Sequence, residues 1–148
     1  MPMRLSDTAA TGRLEAAEHG VLGTVHAERG VDTVPVVYAV DGGAVGIPID
    51  RIKGKRAGLL QRERNLSADP RASLLVEHWD RSDWSRLWWV RATLRWDPTP
   101  GAIREDRLSS RLAERFEQYR DAPFDRILVL RVVAVAGWTA RRAAGGTP

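Results

Sequence analysis

Between Ser85 and Trp96 the side chains alternate so regularly that only an extended strand accommodates them. Arg86, Trp88, Val90, Ala92, Leu94 and Trp96 form one face, mostly apolar, and Ser85, Leu87, Trp89, Arg91, Thr93 and Arg95 form the other. A strand with one apolar face needs a core to lay it on, and a helical period would scatter these residues round the axis. The rest of the chain must therefore build a sheet around this strand.

Five further runs supply it: Val21 to Ala27, Thr33 to Val40, Ala44 to Asp50, Arg71 to Trp79, and Arg126 to Trp138. The first two are joined by the turn Glu28-Arg29-Gly30. Asp41-Gly42-Gly43 predicts a tight hairpin, because glycine tolerates positive φ. Asp80 to Asp83 turns the chain into the long strand. Helices are expected over about 7–18, with Ser6-Asp7 as N-cap and Gly20 as stop, and over about 102–119, with Ile103, Leu108, Leu112 and Phe116 on one side. Residues 51–64 read as a loop feeding a short helix that Asp69-Pro70 ends. A parallel sheet would need a helix after each strand, and that pattern is missing. The expectation is a mainly β (α+β) fold, a six-stranded antiparallel barrel, closed or nearly so, with two or three flanking helices. At 148 residues the chain suits one domain, with an ordered core over 6–138 and a flexible tail over 139–148.

The absence of cysteine excludes disulfides, thiolate metal sites and a cysteine nucleophile. The start, Met-Pro-Met-Arg, leads into a polar helical pattern with no apolar leader or membrane span, so a cytoplasmic location is expected. The formal charge is +4, but the basic residues are interleaved with 19 acids rather than massed, so no nucleic-acid partner is expected. Only two of the 23 basic residues are lysine, Lys53 and Lys55, and they share one short segment. Compact ammonium groups suit phosphate; an arginine-rich composition accounts for two stray lysines equally well.

Side-chain chemistry alone offers little. His19, His26 and His78 are well separated and fit no metal-ligand spacing: His19 reads as a helix C-terminal residue, the other two as strand residues with ordinary partners. No nucleophile elbow or phosphate-cradling glycine loop occurs. A cofactor enzyme asks less of its side chains: cations for phosphate, a flat surface for a ring, and polar groups for the substrate. The cations on offer are Lys53, Lys55, Arg56 and Arg62; on a helix starting near Lys55, Lys55 and Arg62 share a face with Leu59 between them. The flat surfaces are Trp84, Trp88 and Trp89 together with Tyr38. Trp88 belongs on the core face. Trp89 and Arg91 project outward together, and burying an exposed tryptophan gains several kcal/mol at about 25 cal/mol per Å². That pair calls for an interface.

Two segments carry a family resemblance. Arg64-Asn65-Leu66-Ser67-Ala68-Asp69-Pro70-Arg71-Ala72-Ser73 is similar to the "basic-x-x-Asn-Leu-x-x-Asp-Pro-Arg-Ala-Ser" stretch of pyridoxamine 5′-phosphate oxidase-like proteins, above all their deazaflavin-dependent branch. Asp83-Trp84-Ser85-Arg86-Leu87-Trp88-Trp89-Val90-Arg91 resembles the "Asp-Trp-Ser-x-Leu-Trp-Trp-Val-Arg" signature of probable F420-dependent oxidoreductases. With the strand order, the resemblance covers about residues 6–138. It implies an FMN-binding type of split barrel that forms a homodimer, with cofactor sites at the subunit interface. By this resemblance Arg62 stands where a basic residue, lysine in many relatives, contacts the cofactor phosphate. Lys53, Lys55 and Arg56 would hold phosphate or tail. Val36, Val37 and Tyr38 would lie along the ring, and Trp84, Trp88, Trp89 and Arg91 would complete the site. Asn65 is read as structural, joining the helix end to the next strand, and Arg71 as bound either to acids or to ligand. The implied reaction is hydride transfer between the reduced deazaflavin F420 and an unsaturated small molecule, with Tyr38, His26 or solvent as proton source. The alternatives are an FMN enzyme of the same fold and a non-catalytic carrier.

Overall fold

The long alternating strand lies in the middle of a curled antiparallel sheet. The structure, a computed structural model, describes residues 3–50, 58–121 and 124–140. Its strands are β1 (Met3–Arg4), β2 (His19–His26), β3 (Gly30–Val37), β4 (Ala39–Asp41), β5 (Ala44–Ile49), β6 (Arg71–His78), β7 (Trp88–Trp96) and β8 (Arg126–Thr139). The helices are α1 (Asp7–Ala16), α2 (Gln61–Ala68), α3 (Ala102–Arg115) and α4 (Gln118–Asp121).

The strand order is β3-β2-β6-β7-β8-β5-β4, with β1 attached to β8. β3 and β4 stand at opposite ends of that path, yet a single residue, Tyr38, separates them in the chain. The sheet must therefore curl until its two ends meet, which makes it a nearly closed barrel. The same geometry explains a departure from expectation. The run Thr33 to Val40 is two strands, because the chain leaves one end of the sheet at Val37 and joins the other at Ala39. With β1 added, the count among the described residues is eight rather than six.

Inside the barrel, Leu22, Leu74, Val90, Leu94, Ile47, Ile49 and Leu130 are fully buried, and Leu14 of α1 and Leu66 of α2 join the same core. The alternation of β7 holds: Val90, Ala92 and Leu94 are buried, while Arg91, Thr93 and Arg95 are exposed. Arg86 departs from it. Residues Trp84–Arg86 form a 3-10 turn, not strand, so Arg86 faces solvent beside Asp80 at 3.7 Å. β5 is buried on both faces because α3 lies over its outside, where Leu108 packs with Ala44 and Val129. Gly46 permits that approach, since a Cβ there would stand 2.8 Å from Ile127 and 3.0 Å from Leu108.

Several local expectations hold. Ser6 Oγ accepts from the Ala9 N–H at 3.1 Å as the α1 cap, and Gly42 and Gly43 both take positive φ in the β4–β5 turn. Others change. His19 opens β2 opposite Val37 instead of ending a helix. Gly20 is a close-approach glycine, not a helix stop: a Cβ would meet the Leu75 carbonyl oxygen at 2.5 Å. The helix expected over 102–119 breaks at Phe116 into α3 and α4, and Ile103 is exposed. β8 continues through Thr139, which pairs with Met3 and Trp88.

Candidate functional site

Two groups of candidate residues stand at opposite ends of the barrel. The first surrounds the start of α2. Leu60 donates its N–H to Glu63 Oε1 at 3.0 Å, closing the first turn, and Glu63 accepts from Arg126 through Nε at 2.8 Å and Nη2 at 2.6 Å. Burial alone would raise the Glu63 pKa; the Arg126 hydrogen bond, the Leu60 N–H and the charges of Arg126 and Arg62 outweigh it and hold it below the ordinary value. Nearby, the Tyr119 hydroxyl donates to Asp50 Oδ1 at 2.9 Å, and burial, then Asp50, pushes its pKa up to about 12. Arg62 sits among these groups with its Nε buried and, among the described residues, without a hydrogen-bond partner. Burial lowers its pKa, against the opposing charges of Glu63 and Asp50. A guanidinium N–H taken out of water without an acceptor costs free energy, so this donor calls for one.

Asn65 fixes α2 in place. Its Nδ2 donates to Thr24 Oγ1 and to Asp32 Oδ2, both at 2.9 Å, and its Oδ1 accepts from Gln61 at 2.9 Å. It therefore ties the helix to β2 and β3 rather than to the next strand. Arg71 forms a two-pronged pair with Asp69, with Nη2 2.7 Å from Oδ2.

The second group lies where β6 and β8 end and β7 begins. The Arg91 guanidinium stands 5.3 Å from the centre of the Trp89 ring. Trp88 is half-buried against the core, with Arg13 over one face of its ring at 4.8 Å and the His78 ring centred 6.4 Å away. Trp84 is exposed in the 3-10 turn, 5.7 Å from Trp79. A cleft of about 420 Å³ is lined here by Leu75, Trp79, Trp88, Trp89, Arg91 and Trp138, among others. The loop leading in is pinned by Asp80 Oδ1, which accepts from Ser82 and Asp83 N–H groups, and by Asp83 Oδ1, which accepts from Ser85.

The candidates on β3 and the link to β4 are placed differently. Val36 is in the barrel core and Val37 packs beside Ala39, Leu112 and Tyr119. Tyr38 is fully buried, its hydroxyl donates to the Leu14 carbonyl, and burial raises its pKa. That removes its ring as a flat surface and its hydroxyl as a proton donor. Its backbone is engaged too, donating to Glu18 and accepting from Arg115. What remains for a ligand is the outer edge of β3, whose strand partner among the described residues is β2. His26 is likewise a turn residue, since its Nδ1 accepts from the Glu28 and Arg29 N–H groups at 3.0 Å. Lys53, Lys55 and Arg56 lie outside the described residues, and because α2 begins at Gln61, a helical face shared by Lys55 and Arg62 does not arise within it.

β8 measures the separation. Arg126, bonded to Glu63 beside Arg62, opens the strand, and Trp138, opposite Trp89, nearly closes it. At about 3.3 Å per residue this is roughly 30–40 Å of strand. No single protomer can bring Arg62 and the Trp89–Arg91 pair to one small ligand. Between these ends runs the outer face of β2, β6, β7 and β8, with Gly23, Ser73, Thr93 and Ala134 in register across it and Val21, Leu75 and Val133 exposed beside them.

No family model matches the chain, and no curated protein matches it in sequence. Solved structures match its fold. It is similar to an FAD-binding protein from Mesorhizobium loti (TM-score 0.69, 20% identity, 93% of this chain and 96% of that one). A putative pyridoxamine 5′-phosphate oxidase from Corynebacterium glutamicum gives a TM-score of 0.59 at 14% identity over 93% and 97%. A heme binding protein from Mycobacterium smegmatis gives 0.67 at 19% over 96% of this chain and 57% of that one. These likenesses show a shared fold, a curled, mainly antiparallel sheet consistent with a split barrel. Because proteins named for flavin and for heme share it, the fold does not choose the ligand. Among the described residues there is no cluster of three metal-binding side chains and no helix long and apolar enough to cross a membrane.

Proposed function

We propose that the chain is a homodimeric oxidoreductase of the flavin type that binds deazaflavin F420 and serves hydride transfer between reduced F420 and an unsaturated small molecule. The observation that carries this reading is the buried Nε of Arg62, which has no hydrogen-bond partner among the described residues. A phosphate oxygen is the acceptor that both satisfies the N–H and meets the guanidinium charge. The names of two fold neighbours, one FAD-binding and one a pyridoxamine 5′-phosphate oxidase, support a flavin-type ligand. The sequence resemblance adds the deazaflavin.

The ends of the barrel call for two copies. With the outer sheet faces of two protomers together, the Trp89–Arg91 end of one can approach the Arg62 end of its partner, which the roughly 30–40 Å within one chain forbids. Trp89 would then wall the ring, Arg91 would offer a cation beside it, and Arg62, with Lys53, Lys55 and Arg56, would hold the phosphate end. When bound, the cofactor supplies the hydride chemistry. The protein binds it, keeps water from one side, and positions the acceptor. With Tyr38 buried and His26 capping a turn, the proton comes from solvent.

FMN in the same site is the alternative. Titration of the apoprotein with F420 and with FMN, followed by fluorescence, separates them: F420 is expected to bind tighter, and Arg62→Ala to weaken it at least tenfold. Tighter FMN binding would replace the cofactor, failure to bind either would end the flavin reading, and F420 binding without turnover of any acceptor would leave a carrier. Sedimentation should give a dimer.

A further inference from the structure

Arg71, Arg95 and Arg131 face one another across β6, β7 and β8. Arg71 is the register partner of Arg95, and Arg95 is the register partner of Arg131. All three are on the outer face and exposed. Residues directly opposite in an antiparallel pair have Cβ atoms about 4.5–5.5 Å apart, and like charges there are destabilising. Asp69 neutralises Arg71 through their two-pronged pair. Arg95 and Arg131 have no carboxylate within bonding distance among the described residues, though the field of Arg95 reaches Asp69 and helps hold that carboxyl at about 2, behind the larger effect of Arg71. Both arginines line a cavity of about 500 Å³ with Ser67, Trp96 and Asp97. Asp97 lines the same cavity, but its Oδ1 accepts from the Thr99 N–H at 3.1 Å and its carboxylate forms no ion pair with either arginine among the described residues. A repulsive pair retained on an open face, with a cavity at hand, has the makings of an anion site.

We propose that Arg95 and Arg131, flanked by Arg71, bind a polycarboxylate, one carboxylate to each free guanidinium. Side chains on neighbouring strands about 4.8 Å apart let each guanidinium take one carboxylate of a chain that carries several. Two sources share that chemistry: the acidic oligoglutamate tail of the deazaflavin, or a free polycarboxylate. The first rests on the function proposed above; the site itself does not.

The test titrates wild type, Arg95→Gln and Arg131→Gln with three probes: tri-γ-glutamate, deazaflavin with its glutamate tail, and the same phosphorylated deazaflavin without glutamates. Tri-γ-glutamate should bind wild type and lose tenfold or more in each variant. If the tail is the occupant, the tailed cofactor shows the same loss and the tailless one none. If tri-γ-glutamate binds and no deazaflavin does, the arginine site stands and the cofactor reading falls. If tri-γ-glutamate fails to bind wild type, or binds both variants equally well, the site is overturned. Each variant should also melt at or above the wild-type temperature without ligand, because it removes a repulsion; lower melting would contradict the account of the row.

Discussion

Replacing Asn65 by alanine should loosen α2 from the barrel at a cost that can be worked from its contacts. Asn65 and Thr24 are both buried, and the bond between them is 2.9 Å long. The substitution strips Thr24 Oγ1 of that partner in a place water does not reach, a penalty of about 1–3 kcal/mol. It also deletes buried side-chain atoms that the surroundings only partly refill. The bond to Asp32 is left out of the sum, because that carboxylate is partly exposed and keeps Arg29 at 2.8 Å. The expected loss is about 2–3 kcal/mol, a large share of the roughly 5–15 kcal/mol that holds a domain together. Urea unfolding of wild type, Asn65→Ala, Thr24→Val and the double variant measures it. The double-mutant cycle should return a coupling of about 1 kcal/mol. A cost below about 0.5 kcal/mol, or additive single variants, would refute the idea that this pair clamps the helix. Arg62 rides on the same helix, so Asn65→Ala should also weaken cofactor binding while Thr24→Val does so less.

Acid should weaken the fold through its depressed carboxyls, by a modest amount because both ion pairs are at the surface. Asp32, held at about 2 by Arg29 and then Asn65, and Asp69, held at about 2 by Arg71, keep folded pKa values below unfolded ones near 4. Their contribution is complete above about pH 4 and is lost as pH falls toward 2; Asp32→Asn should flatten that part of a stability–pH curve from circular dichroism. Gly46→Ala should cost about 1–3 kcal/mol in chemical unfolding by forcing Leu108 and Ile127 apart. Leu75→Glu, on the exposed outer face, should convert the proposed dimer to monomer in sedimentation with little change in circular dichroism, and a variant that remained dimeric would move the interface elsewhere.

The parts of the fold that read directly from the sequence are those where a local rule acts alone. Gly42-Gly43 needs positive φ, Ser6 caps a helix, and β7 alternates along its length, so each is visible in a few residues. Tyr38 was misread because a valine-rich run looks like one strand whether or not the chain crosses from one end of a sheet to the other; that crossing follows only from the closure of the barrel. His19 and Gly20 looked like a helix end, since nothing local distinguishes a stop glycine from one that clears the Leu75 carbonyl. The candidate site was legible as residue types, Arg62 and the Trp89–Arg91 pair above all. The arginine row was invisible, because Arg71, Arg95 and Arg131 become neighbours only once the register of β6, β7 and β8 is known.

That register also bears on how the sheet can be used. A split barrel with its core filled by Leu22, Leu74 and Val90 has no room for a tricyclic ring inside, so a large flat ligand must bind on the outside or between copies. The outer face has small residues, Gly23, Ser73, Thr93 and Ala134, in register across its centre, and charge or aromatic groups at its two ends. Small residues let two such faces come close, and the ends then determine what each meets. Turning one copy end for end sets aromatic against cationic; aligning the copies head to head would set Arg95 and Arg131 against their own duplicates. In the proposed dimer the head-to-head pairing would carry that repulsion, and the end-for-end pairing would instead set Trp89 and Arg91 beside a partner's α2.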